Sequence, residues 1–87
     1  MQIKENNDKK FFGNAVKAIL SMANEKCCAY NDEEVESITR LLNTAVDMAF
    51  MYDLKQEFHL IFDTCAEINS ALMTKTIYRR GYRFFVE

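Results

Sequence analysis

Apolar residues recur at helical spacing along the first third of the chain. Five of them follow one another every three or four positions, the period of one face of an amphipathic helix: Phe12, Val16, Ile19, Ala23 and Cys27. We expect this helix to begin at Asn7 or Asp8, since either residue suits an N-cap, and to end near Ala29. Residues 1–7 are then a flexible leader, and residues 8–74 form one helical domain.

A second helix is predicted directly after Asn31. Asn31 and Glu34 have the spacing of a capping box, in which each side chain accepts a backbone hydrogen bond near the other. The apolar positions that follow again alternate steps of three and four: Val35, Ile38, Leu42, Ala45, Ala49 and Tyr52.

A third apolar stripe has the same spacing but a different phase. Its positions are Leu54, Phe58, Ile61, Cys65, Ile68 and Leu72. The two stripes are out of register across Asp53, and Asp53 with Gln56 has the spacing of another capping box, so we favour a break at Asp53. The alternative is one continuous helix from residue 32 to about residue 74.

The period changes after Met73. Side chains alternate in character from Ile77 onward, and Arg80-Gly81 is suited to a turn, which predicts a short hairpin or an extended tail. Because a lone hairpin is only marginally stable in water, we expect residues 75–87 to pack on the helices. The predicted fold class is therefore all-α: a three-helix antiparallel bundle, helices 2 and 3 joined or separate, with a C-terminal hairpin or extended tail.

Composition agrees with a helical chain in a reducing compartment. The 87 residues include no proline and two glycines, whereas turn-rich β folds draw on both. Three cysteines, two of them adjacent, do not suggest a disulfide framework. The N-terminus lacks the apolar run of a signal peptide, and no segment approaches the ~18 apolar residues of a membrane helix. We expect a cytoplasmic protein without membrane association.

Charge is distributed unevenly along the chain. Residues 32–73 carry nine acidic and two basic side chains, whereas residues 75–87 carry four basic and one acidic. Arginine forks interleaved with aromatic rings suit phosphates and bases, which makes a candidate site for an anion, a nucleotide or nucleic acid: Lys75, Tyr78, Arg79, Arg80, Tyr82 and Arg83. The alternative is that the arginines neutralise the acidic helices while the aromatic rings cover the end of the bundle.

The C-terminal residues also show a family resemblance. The run Arg80-Gly81-Tyr82-Arg83-Phe84 resembles the end of the final hairpin of winged-helix response regulators, and the likeness covers residues 76–86. Neither the leading sheet nor the short helix-turn-helix of that family is predicted upstream. Its fold and function are therefore not carried over.

The second helix carries more apolar residues than one face can use. Between Ala45 and Tyr52 only Asp47 is polar, so this half of the helix needs cover on every side. The segment is either the centre of the core or a surface for self-association or a partner. The candidate interface residues are Met48, Phe50, Met51 and Tyr52. Small helical proteins often bury such surfaces by dimerising, which favours a homo-oligomer.

The sequence offers little for catalysis. His59 and Asp63 are one helical turn apart, a pattern that is far more often a solvated surface pair than a general base. The histidine and cysteines lack the spacing of a metal site, and two glycines cannot build a phosphate loop. We therefore expect no cofactor, and a non-enzymatic regulator or inhibitor that binds a protein target, of the kind that phages and mobile elements encode. A nucleotide-binding or nucleic-acid-binding protein that uses the basic tail is the second hypothesis.

Overall fold

Three helices are followed by a small antiparallel sheet. The computed structural model describes the backbone of residues 2–28 and 34–87 and the side chains of residues 9–25 and 34–87. The elements are α1 (Gln2–Cys28), α2 (Val35–Met51), α3 (Lys55–Ala71), β1 (Ile77–Arg80) and β2 (Arg83–Val86). The three predicted helices and the hairpin are confirmed. The all-α class was wrong in one respect, because the C-terminal segment forms a two-stranded sheet rather than an extended tail.

The core lies where α1, α2, α3 and the sheet meet. α1 packs on both other helices, α2 packs on α3, and β2 packs on α2. The predicted apolar stripes supply most of the buried side chains. Val16 and Ala23 of α1 are fully buried, as are Ile38 and Leu42 of α2. α1 begins at Gln2, earlier than the predicted start. The capping box of Asn31 lies outside the described residues, and the antiparallel bundle stays a prediction.

The predicted break between α2 and α3 is confirmed, although Asp53 acts differently from expectation. Asp53 has φ 54°, the left-handed conformation that commonly ends a helix. The amide of Leu54 donates to the carbonyl of Ala49 at 2.8 Å, and that of Asp53 to Phe50 at 3.4 Å, the two bonds of a Schellman motif. Asp53 therefore terminates α2. The predicted capping box was wrong, because α3 starts after Leu54 without a side-chain cap.

The hairpin turns through two residues, one position later than predicted. Ile77 pairs with Val86 and Arg80 with Arg83, so the connecting loop is Gly81 and Tyr82. Gly81 has φ 62°, which a type II′ turn requires at its first central position. Ile77 and Phe84 point into the core and are almost completely buried.

Two asparagine side chains hold the two edges of the sheet. The amide of Asn43, on α2, donates to the carbonyl of Phe84 at 3.0 Å and accepts from its N–H at 2.8 Å. Asn69, on α3, makes the same pair of bonds with Ile77, at 2.7 and 2.9 Å. Each side chain thus takes the place of a neighbouring strand, and the hairpin is fixed between α2 and α3. The pattern of apolar positions in the sequence does not single out either asparagine.

Candidate functional site

A pocket opens where the end of α2, the start of α3 and the tip of the hairpin meet. Its volume is about 400 Å³, and its lining combines four aromatic rings with three ionisable side chains: Ala49, Phe50, Asp53, Lys55, Phe58, His59, Phe62 and Tyr82. A smaller pocket of about 270 Å³ between α1 and α3 has no aromatic residue in its lining. Apolar concavities with a few polar groups are the usual form of a binding site.

The aromatic rings around the larger pocket contact one another. The ring centroids of Phe50, Phe58 and Tyr82 lie 5.0 to 5.1 Å apart in each pairing, two of them edge-to-face or nearly so. Phe62 continues this cluster toward the buried Phe84. The spacing of Phe58 and Phe62, four residues apart on α3, already placed both rings near one face. This face becomes a wall of the pocket because Tyr82, in the turn of the hairpin, contacts both rings.

Two of the four predicted interface residues are strongly exposed. Phe50 is 56% exposed and Met51, the last residue of α2, is 72% exposed. Met48 is half-buried against the core. Tyr52 is also half-buried, and its ring stacks on Phe12 at 3.7 Å with an angle of 8° between the planes. The structure therefore divides the predicted interface into an exposed pair and a packed pair.

The basic side chains of the hairpin have separate surroundings. The guanidinium of Arg79 lies 4.2 Å from the centroid of the Phe62 ring and donates to the carbonyl of Gly81. Arg83 forms an ion pair with Asp47 of α2 at 2.5 Å. Among the described residues, no hydrogen bond or ion pair involves the side chain of Lys75 or that of Arg80. Arg83 thus fits the neutralising role, whereas Arg80 is free for a ligand.

The outer face of the hairpin carries three of the six predicted residues. The strand register places Tyr78, Arg80, Arg83 and Phe85 on one side, opposite the side that enters the core. The rings of Tyr78 and Phe85 stack at 5.5 Å with 28° between their planes, and both are exposed. Tyr82 does not belong to this face, because it lies in the turn against Phe50.

The described residues bring no metal-binding group together, since no three of their histidine, cysteine, aspartate or glutamate side chains are clustered. His59 and Asp63 are both exposed on α3 and share no hydrogen bond. Cys65 is a free, buried thiol. Burial raises its pKa, and the opposing charge of Arg79 is the weaker influence. Its burial agrees with its place on the apolar stripe, and the raised pKa disfavours the reactive thiolate form.

Comparison with known proteins gives no guide to function: no family model matches the chain, and no curated protein or solved structure is significantly similar to it. None of the helices in the described part of the chain has the length and apolar character needed to cross a membrane.

Proposed function

We propose that this protein is a non-enzymatic regulator that acts by binding protein through its corner surface. The corner surface is formed by Phe50, Phe58, Phe62 and Tyr82. One observation carries the proposal: the side chains of Phe50 and Tyr82 are each about half exposed and line a pocket of about 400 Å³. Fully burying each such side chain is worth roughly 1.5–3 kcal/mol.

The side chains that most often carry catalysis have few partners here, which supports the non-enzymatic part of the proposal. His59 is the only histidine of the chain and has no hydrogen-bonded partner among the described residues. Cys65 is buried in the core. The cysteine pattern supports a place in the cytoplasm, and the proline-free composition suits an inhibitor of phage or mobile-element origin. Both attributions are part of the proposal.

Site-specific photo-crosslinking in the native host tests this function. A benzophenone amino acid at Phe50 should give one discrete cross-linked protein product, whereas the same group at Met73 should not. Met73 is the matched control because it is 86% exposed but lies between α3 and β1. The captured protein, once purified, should bind the Phe50→Lys variant at least about tenfold more weakly than wild type. Unchanged binding by that variant would exclude the corner surface.

The second candidate function is binding of a nucleotide or nucleic acid by the outer face of the hairpin. It is supported by the exposed Tyr78–Phe85 stack and by the unpaired Arg80 beside it. The acidic helices oppose binding of a long polyanion. A labelled single-stranded oligonucleotide distinguishes the two proposals. Loss of binding on replacing Arg79, Arg80 and Arg83 by alanine supports the hairpin, and absence of binding by wild type excludes it.

A further inference from the structure

We infer that the cleft between α1 and α3 binds a small carboxylic acid that carries a short apolar group. The cleft is the pocket of about 270 Å³, and its lining mixes polar and aliphatic side chains: Lys17, Leu20, Ser21, Asn24, Leu60 and Thr64. None of these residues lines the larger pocket, so the inference goes beyond the proposed function and does not depend on it. Three features support it: polar groups without partners, a single positive charge, and an apolar wall from each helix.

The first feature is the buried hydroxyl of Thr64. Thr64 is only 8% exposed and lines the cleft, yet no hydrogen bond to a described residue involves its side chain. The other two threonines of α2 and α3 differ, because Thr39 and Thr44 donate to the carbonyl four residues earlier, at 2.7 and 2.9 Å. The hydroxyl of Thr64 therefore stays available to the cleft. A buried polar group without a partner is unfavourable, and a ligand in the cleft supplies the missing bond.

The polar side chains of α1 that line the cleft are also without partners. Lys17, Ser21 and Asn24 follow one another at steps of four and three residues, so they share one face of the helix. Within the described part of the chain, none of the three side chains forms a hydrogen bond or an ion pair. Together with Thr64 they offer an ammonium group, two hydroxyls and an amide, all of which can donate. Four donors around one space suit a ligand rich in acceptors, such as a carboxylate.

The second feature is the charge of the lining, which selects among ligands that accept hydrogen bonds. Lys17 is the one ionisable side chain among the described residues that line the cleft, so an anion is favoured and a cation is repelled. One ammonium group balances the charge of one carboxylate. A phosphate monoester carries about −1.5 to −2 charges at neutral pH, and part of that charge stays unbalanced in this cleft.

The third feature is the apolar part of the lining. Leu20 of α1 and Leu60 of α3 give the cleft one aliphatic wall from each helix. The volume of about 270 Å³ lies just below the range of about 300–1,000 Å³ that is usual for drug-sized ligands. The acid is therefore small, and its hydrocarbon part is short and aliphatic. Isovalerate, the anion of a branched short-chain acid, has this chemistry and serves as the probe.

Titration of the isotope-labelled full chain with isovalerate, followed by nuclear magnetic resonance, tests the ligand class. We expect saturable shifts of the backbone amide signals of residues 17–24 and 60–64. The neutral amide isovaleramide has the same shape without the charge, and should bind at least about tenfold more weakly. The cation isopentylamine should not bind. Absence of saturable shifts in these residues, or equal binding of the acid and its amide, would overturn the inference.

Replacement of Lys17 tests the source of the charge preference. Lys17→Met keeps a side chain of similar length, and should weaken the binding of isovalerate by at least about tenfold while leaving that of isovaleramide unchanged. Lys17 is exposed, so this variant leaves the core intact. Lys10→Met is the matched control, because Lys10 is also exposed on α1 but does not line the cleft. A preference for the acid that survives in Lys17→Met would contradict the assignment.

Replacement of Thr64 tests the buried hydroxyl. Thr64→Val keeps the shape of the side chain and removes the hydroxyl alone, so isovalerate should bind about three- to tenfold more weakly. Thr39→Val is the matched control, because Thr39 is equally buried, at 7% exposure, but lies outside the cleft. Circular dichroism checks that both variants fold. If Thr64→Val and Thr39→Val bind isovalerate alike, the hydroxyl does not face the ligand and the proposed site is wrong.

Discussion

Asn43 and Asn69 show how much single polar side chains decide in this fold. Each makes two hydrogen bonds to the backbone of one strand residue, and all four bonds are partly buried. A buried backbone group that loses its partner costs about 1–3 kcal/mol, which is well above the net worth of an exposed hydrogen bond. These two residues therefore decide whether the hairpin stays on the helices.

We predict that Asn43→Ala and Asn69→Ala each lower the free energy of unfolding by about 1–3 kcal/mol, measured by urea denaturation. Asn14→Ala is the control, because the side chain of Asn14 is exposed on α1 and makes no hydrogen bond with a described residue. Its effect should stay within about 0.5 kcal/mol. If the three variants unfold alike, the asparagine bonds do not hold the hairpin.

At this scale the sequence predicted apolar positions better than polar ones. The stripe from Leu54 to Leu72 identified Ile61, Cys65 and Ile68 as core residues, and all three are buried. The role of Asn43 could not be predicted in the same way. Its partner, Phe84, lies 41 positions away in the chain, and no local sequence pattern marks Asn43 as a residue that binds a strand. Periodicity reports which face of an element is buried. It does not report which backbone group a polar side chain will meet.

At the scale of elements, two residues with positive φ set where helices and strands end. Asp53 closes α2, and Gly81 begins the turn between the strands. The break at Asp53 was predicted from the change of phase between two apolar stripes, so its place was right although its mechanism was not. The hairpin was likewise predicted from a change of period. Its turn was displaced by one residue, because Arg80 pairs with Arg83 and leaves Gly81 and Tyr82 as the loop.

We predict that Gly81→Ala destabilises the protein by about 1 kcal/mol, because an L-residue with φ near 62° is strained. A β-carbon at this position meets no atom within 4 Å, so the cost comes from the backbone alone. Asp53→Gly places a glycine at the other residue with positive φ. Glycine adopts this conformation without strain, but it also adds freedom to the unfolded chain, so the free energy of unfolding should change by less than about 0.5 kcal/mol. Thermal unfolding followed by circular dichroism measures both. A Gly81→Ala variant as stable as wild type would show that the turn does not need its positive φ.

At the scale of the whole molecule, the sheet is part of the core rather than an appendage. Ile77 and Phe84 are each 2% exposed, and burial of two such side chains contributes about 3–6 kcal/mol. The total stability expected for a chain of this length is only about 4–13 kcal/mol. The composition and the periodicity predicted three helices with a packed tail. They could not show that the hairpin contributes side chains to the core, because this depends on how the three helices are arranged in space.

We predict that removal of residues 75–87 abolishes cooperative unfolding and leaves a helical chain without fixed packing, detected by loss of the near-ultraviolet circular dichroism signal. The double variant Tyr78→Ala/Phe85→Ala is the control. It removes two exposed rings from the outer face of the hairpin and should keep the cooperative transition. A truncated chain that unfolds in one sharp transition would contradict the role given to the sheet.

The hydrogen bonds of Asn43 and Asn69 also make the fold sensitive to hydrolysis of their side-chain amides. An asparagine side chain slowly loses its amide nitrogen to water, which turns it into a carboxylate. Asn43 and Asn69 are followed by Thr44 and Ser70, and each uses its nitrogen to donate to a strand carbonyl. After hydrolysis the donor is gone, and two oxygens repel each other where a hydrogen bond held before. A molecule in which Asn43 or Asn69 has been hydrolysed should therefore carry one extra negative charge and hold the corresponding strand less firmly.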